Sequence, residues 1–303
     1  GHLVDRRFGV TRQSGSAWLA EQIKSLMIGL LVQTPLLTGC FVLMRRRPRD
    51  WWLIAAAASV PLATAFSYLA PVLIMPRFNR FDLLDDRGLE SEIRQLSEKS
   101  GVRISNVYRM DMSRQTEKPN AFFAGIGTTK RIVLSDTLLE QFPEGEITAV
   151  VAHELGHQAH GDIWRLTGFA SAAGFAVAWL FARFAPGVVR ATARFTDVDE
   201  MGDEAAFPLL ALQMTGFGVI LMPILAAYSR SLERGADRFA VALTGDNVVY
   251  AQALERLGAL GLADPDPHPL VVFLLYSHPP LGERIRSALG ERANVAPPAV
   301  AGT

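Results

Sequence analysis

The sequence predicts a mainly α-helical, multi-span membrane protein that also carries a small β-sheet. Three observations predict it. Four long stretches are almost free of charge, a mixed segment over 76–162 alternates helical and strand-like periodicity, and an H-E-x-x-H motif at His153 lies near the end of that segment. Of the 303 residues, 50% are hydrophobic, and 30 Lys and Arg balance 30 Asp and Glu. Zero net charge gives no reason to expect a polyanionic partner, so nucleic acid is not expected. The single cysteine, Cys40, cannot form an internal disulfide, and a Cys-rich zinc site is excluded. The chain starts at Gly1 without Met and shows no signal peptide.

Residues 1–20 are mixed and basic. The first apolar span runs from Ile23 to Met44. After Lys24 it holds no charge for about 20 residues, enough to cross the hydrocarbon core of a bilayer. Arg45, Arg46, Arg47 and Arg49 come directly after it. A second span covers Trp51 to Met75, with Trp51 and Trp52 as interfacial anchors. Neither span has the polar face that a soluble helix of this length would show.

Segment 76–162 changes character. Leu89–Ser100 reads as an amphipathic helix stopped by Gly101, and Val102–Met112 as a strand. Asn120–Gly125 and Arg131–Ser135 read as a strand pair around Gly127-Thr-Thr-Lys130. Pro143 and Glu144 suit a helix start, with Glu146 in the first turn. On that helix His153 and His157 are four apart and share a face, so both imidazoles can reach one metal ion. Glu154 can reach a water on the metal's open side. Histidine ligands, an open position and a carboxylate base are the parts of a zincin-like hydrolytic unit. His160, a turn beyond, does not converge well with the other two and reads as a surface residue or one that supports a ligand from behind.

A third span runs from Leu166 to Ala185, broken only by Arg183, and a polar, acid-rich loop is expected over 186–205. The fourth span, Ala206 to Tyr228, contains Gly216, Gly218 and Pro223, residues common in membrane helices. Beyond it, Glu233 and Asp237 lie four apart on one helix face. A site built on H-E-x-x-H needs a third protein ligand, often a downstream carboxylate, and Glu233 can fill that place. Asp237 can accept the second N–H of a ligand histidine and fix its tautomer. Asn247–Leu262 reads as a helix. His268, between prolines, reads as a loop residue without chemistry, and the apolar run Val271–Tyr276 leads into Ser277-His278-Pro-Pro. Ala293–Thr303 reads as a disordered tail. The expected organisation is therefore a two-span segment 1–75, an α/β unit 76–165, a second span pair 166–228, a helical part 229–292 that completes the metal site, and the tail.

Several of these stretches together resemble one family. They are Asn120-Ala-Phe, Lys130-Arg-Ile-Val-Leu-Ser-Asp-Thr-Leu-Leu, Ala152-His-Glu-Leu-Gly-His157, Ser229-Arg-x-x-Glu233-x-x-Ala-Asp237 and Ser277-His-Pro-Pro. The chain resembles the membrane-embedded zinc metallopeptidases of the type-1 CAAX prenyl endopeptidase and HtpX, from about Arg6 to Ile285. Pro71-Val-Leu-Ile-Met-Pro-Arg-Phe-Asn79 looks more like the CAAX side. The resemblance implies one Zn²⁺ held by His153, His157 and Glu233, with Glu154 as base and Asp237 behind a ligand. It implies that His278, with help from Arg284, steadies the tetrahedral intermediate. It also implies that Asn120 and Ala121 belong to an edge strand that holds substrate backbone, as strand addition would.

CAAX prenyl endopeptidases of this type have seven transmembrane helices around a chamber, whereas four spans are counted here. Either earlier helices are missing or the arrangement is smaller and nearer to HtpX. The expected partners are peptide or protein substrates, prenylated or membrane-bound ones among them, and membrane lipid. The short chain without long insertions suits a bacterial inner membrane, and the family places the catalytic side in the cytoplasm. The alternatives are an HtpX-like quality-control protease, and a non-catalytic zinc-containing binder of lipidated peptides.

Overall fold

The protein is described here by a computed structural model that defines residues 2–125 and 129–290. A short helix α1 (His2–Arg7) precedes α2 (Gly15–Arg46), whose N-terminus is capped by the Ser14 side chain accepting from Ala17 N–H. α3 (Trp51–Leu69) comes next. Its helical path continues through one π turn at Ala70–Ile74 and a 3₁₀ turn at Met75–Arg77, where Pro71 and Pro76 deprive the regular ladder of donors. Two more long helices, α7 (Asp162–Thr196) and α8 (Phe207–Thr244), complete four helices long and apolar enough to cross a membrane. α2 and α3 leave Leu30, Leu31, Leu62 and Phe66 exposed. That much outward apolar surface is what a lipid-facing helix presents. The chain is an integral, multi-pass membrane protein.

The expected loop over 186–205 is corrected. α7 runs on through Pro186 to Thr196, and the turns on either side of Pro186 have a surface to bury. Phe181, Ala185 and Val189 pack with Phe41, Met44, Trp51, Ala206 and Leu210 at the far end of the helix bundle. The remaining connection is short. There Arg45 pairs with Glu204.

The α/β unit is built on a four-stranded sheet of order β1-β2-β4-β3, with β1 (Phe81–Leu83), β2 (Val107–Met110), β3 (Ala121–Ala124) and β4 (Arg131–Ser135). β2 pairs parallel to β4, and the outer pairs are antiparallel. The expected strand Val102–Met112 is thus shorter, and β1 is an addition to the expected strands. The β3–β4 pair is as expected, but most of the turn between them lies outside the described residues, as does the expected tail. α4 (Arg87–Lys99) is capped by Asp86, which accepts from Gly88 and Leu89, and it is released at Gly101 (φ 74°). α5 (Asp136–Gln141) leads to α6 (Glu144–His160). Ile93, Ile132, Leu134, Leu138, Val151 and Leu155 form the core that binds α6 to the sheet. Three shorter helices come after α8: α9 (Asn247–Gly261), α10 (Pro269–Leu275) and α11 (Leu281–Ala288). His268 is not idle, because its Nδ1 caps α10 by accepting from Leu270 N–H at 3.2 Å.

Candidate metal centre

α6 and α8 cross where both are small. A Cβ added to Gly156 would stand 3.1 Å from Ala236 Cα and 3.2 Å from the Phe239 side chain. The missing Cβ therefore lets the backbones approach, and this brings Glu233, one turn before Ala236, to the histidine face of α6. Glu146 at the start of α6 is buried and is gripped by Arg256 of α9 through two bonds of 2.7 and 3.0 Å. Three helices are thus fixed around one point.

At that point the Nε2 atoms of His153 and His157 face each other at 3.2 Å. Glu233 places Oε2 3.3 Å from His153 Nε2 and Oε1 3.4 Å from His157 Nε2. Ligand atoms about 2.0–2.1 Å from a tetrahedral zinc stand about 3.3–3.4 Å from one another, which is the spacing found. Glu233 Oε2 is also fully buried without a hydrogen-bond partner, although a buried carboxylate oxygen normally has one. Two imidazole nitrogens and an orphaned carboxylate oxygen at this spacing fit a zinc ion. Among the described residues, His153, His157 and Glu233 are the group whose donor atoms converge in this way.

The far nitrogens are held as well. His153 Nδ1 lies 3.0 Å from Asp237 Oδ1 and 3.1 Å from the Tyr250 hydroxyl. Tyr250 donates to Asp237 Oδ1 at 2.6 Å. Arg284 donates to both Asp237 oxygens, from Nε at 3.0 Å and Nη2 at 2.7 Å, and reaches the Tyr250 hydroxyl at 3.3 Å. His157 Nδ1 lies 2.9 Å from Asp162 Oδ2, and Arg165 holds the other Asp162 oxygen at 2.9 Å. Each candidate ligand histidine therefore has a carboxylate behind it, which sets its tautomer and raises its basicity.

These contacts set the electrostatics. Burial pushes the His153 imidazole down, but its contacts with Asp237 and Glu233 outweigh burial and carry it up to about 9. The carboxylates thus draw positive charge to this point, as a proton on the ring or as a cation held by its nitrogen. Burial raises the Glu154 carboxyl, with His153 and His157 pulling the other way. Burial, then the Asp237 charge, raises the Tyr250 phenol well above its ordinary value, so it stays a neutral donor. Burial works against the Arg284 charge, but Asp237 more than offsets it.

Glu154 lines a cavity of about 150 Å³ together with His153, Asn120, Ala121, Tyr250, Leu254, His278 and Arg284. β3, which carries Ala121, is the edge of the sheet, with no further strand paired to its outer side among the described residues. His278 Nε2 stands 3.3 Å from Glu233 Oε1. Every residue singled out from the sequence for this site is therefore in it or on its rim. Arg284 differs from expectation in its contacts, since its donors are directed at Asp237 and Tyr250. His160 is exposed and packs edge-on against Phe239, outside the site. Sequence reasoning misses Tyr250 and Asp162. Tyr250 is a lone tyrosine on an amphipathic helix, and Asp162 looks like an ordinary acidic residue at a helix start, so neither carries a sequence signal.

Comparison with known proteins places this geometry. The model of peptidase family M48 matches residues 83–292, and the CAAX prenyl protease N-terminal model, described as five membrane helices, matches residues 2–80. An uncharacterized metalloprotease, YhfN, of Bacillus subtilis is 31% identical over 95% of this chain and 68% of its own length. CAAX prenyl protease 1 of Saccharomyces cerevisiae is 30% identical over 93% of this chain and 65% of its own length. The crystal structure of S. mikatae Ste24p superposes with a TM-score of 0.84 at 27% identity, covering 94% of this chain and 69% of that one. The chain thus spans about two thirds of the length of the relatives it matches.

Proposed function

Since the chain belongs to peptidase family M48, a family of zinc-dependent metalloproteases, we propose that it is a membrane-embedded endopeptidase that cuts CAAX-type, prenylated peptides next to the lipid surface. The observation that carries the reading is the convergence of His153, His157 and Glu233 beside Glu154 in a cavity edged by a free strand. His153, His157 and Glu233 would hold the zinc. When bound there, zinc supplies Lewis acidity that polarises a carbonyl and acidifies water.

The other residues then divide the work. Substrate backbone adds to the outer edge of β3 at Asn120 and Ala121, which fixes the scissile bond over α6. Glu154 takes the proton of the attacking water and passes it to the leaving amine. His278 donates to the oxyanion of the tetrahedral intermediate, a contribution typically worth about 3–4 kcal/mol. Asp237, itself held by Tyr250 and Arg284, fixes the ring of His153, and Asp162 does the same for His157. The match to the CAAX prenyl protease N-terminal model favours lipidated substrates over a general quality-control role. We place the protein in a bacterial inner membrane with the catalytic unit on the cytoplasmic side, a placement that a reporter fused at the C-terminus tests.

The test is cleavage of a matched peptide pair, farnesylated and unfarnesylated, by detergent-purified protein beside Glu154→Ala. Cleavage of only the farnesylated peptide, abolished in a Glu154→Ala variant that keeps its zinc, is expected. Equal cleavage of both peptides would point to a broader membrane protease. No cleavage of either by zinc-loaded protein would leave a binder.

A further inference from the structure

Arg230 lies one helical turn before Glu233 on α8, in a stretch otherwise occupied by the metal site, yet among the described residues its side-chain hydrogen bonds go to α10 and not to the site. It is buried, 8% exposed, and forms no ion pair among the described residues. Its Nη1 donates instead to two carbonyls, Val272 O at 3.1 Å and Tyr276 O at 2.6 Å. Both belong to the end of α10, of which Tyr276 is the C-cap. Val272 O already accepts the Tyr276 N–H at 3.3 Å, and the last carbonyls of a helix carry its negative end, so a cation placed there is favoured and gives Tyr276 O a donor.

The cap sits just ahead of a site residue. Tyr276 is two residues before His278, and His278 Nε2 stands 3.3 Å from Glu233 Oε1. One helix therefore supplies Glu233 and, through Arg230, also fixes the segment that supplies His278. Beyond His278 the chain is held by the buried Pro279 and by Pro280 O accepting from Arg284 N–H, whereas α10 itself is lightly packed. α10 contains no buried residue, Leu270, Phe273 and Leu275 are exposed, and the His278 side chain is 58% exposed.

We propose that Arg230 is a positioning residue that sets His278 over the metal site by capping α10 from α8. The proposal rests on the role of His278 as oxyanion donor. Arg230→Met keeps the apolar stem and removes the donors. It should lower kcat by roughly the same 10²–10³-fold as His278→Ala, with KM and zinc content unchanged. Added to His278→Ala it should cost less than about threefold more, because the two act through one group. Arg230→Lys, which restores charge and a donor, should recover part of kcat, and if Arg230→Met does not fold the same comparison is made with Arg230→Leu. Amide exchange over residues 270–278 should rise in the Arg230 variants while that of α6 does not.

Losses that multiply in the double variant, a fall in zinc content, or unchanged exchange over 270–278 would each overturn the proposal. Full activity of His278→Ala would remove the catalytic role of His278 and with it the functional half of the proposal. The exchange measurement separates that failure from a failure of the cap itself.

Discussion

Glu233 and Tyr250 show how differently two buried groups serve one ion. Glu233 Oε2 has no hydrogen-bond partner, so a cation bound there would offset its burial directly. Glu233→Ala should therefore abolish zinc binding, measured as metal content by plasma emission spectrometry. An unchanged content would place the third ligand elsewhere. Tyr250→Phe removes a single hydroxyl that donates to Asp237 at 2.6 Å, and Arg284 still grips that carboxylate. It should weaken zinc affinity by roughly 10–100-fold without unfolding the protein, read by competition with a chromophoric chelator. The ligands are legible in the sequence because an i, i+4 pair declares its common face locally and Glu233 answers the need for a third donor. Tyr250 is not legible, since the 97 residues separating it from His153 are closed only by the fold.

At the scale of elements, the meeting of α6 and α8 decides whether the ligands converge. Gly156 has no room for a side chain against Ala236 and Phe239. Gly156→Val should force the helices apart at a cost of about 1–3 kcal/mol, lowering both Tm and zinc occupancy, with Gly156→Ala milder. A Gly156→Val protein with full zinc and unchanged Tm would mean that the crossing is not what brings the ligands together. The helices are largely readable as periodic or apolar runs, and the errors in reading them have causes. The last turns of α7 look polar and contain Pro186, but Val189 is fully buried against the neighbouring helix bundle, and this packing extends the helix. β1 is only three residues long and exists because β2 offers it a partner from Tyr108 to Met110. No local pattern marks so short a strand.

At the scale of the whole molecule, the four candidate spans among the described residues would put the N-terminal segment, the α/β unit and the helices after α8 on one side of the membrane. The structure agrees, since Thr11 donates to Gln115 O at 2.6 Å and Glu117 N–H to Val10 O at 2.8 Å, tying the N-terminal segment to that unit. The Arg45–Arg49 loop on the opposite side is itself basic, so the distribution of arginine does not fix the orientation. An alkaline phosphatase fused at the C-terminus should be inactive in cells, as a cytoplasmic catalytic side requires. An active fusion would reverse the orientation.

α8 joins the bilayer to the metal centre without a break, running 38 residues from Phe207 to Thr244. Glu233 lies five residues past Tyr228, where the apolar stretch ends, which is about 7.5 Å of helix rise. On the proposed function, that fixed rise would make the protein a ruler that cuts at one height above the lipid. Each residue inserted between a substrate's lipid anchor and its scissile bond lifts that bond by up to about 3.3–3.6 Å. In a series of anchored peptides with lengthening spacers, cleavage should fall away within the first few insertions, and a rate indifferent to spacer length would mean that substrates reach the site from solution.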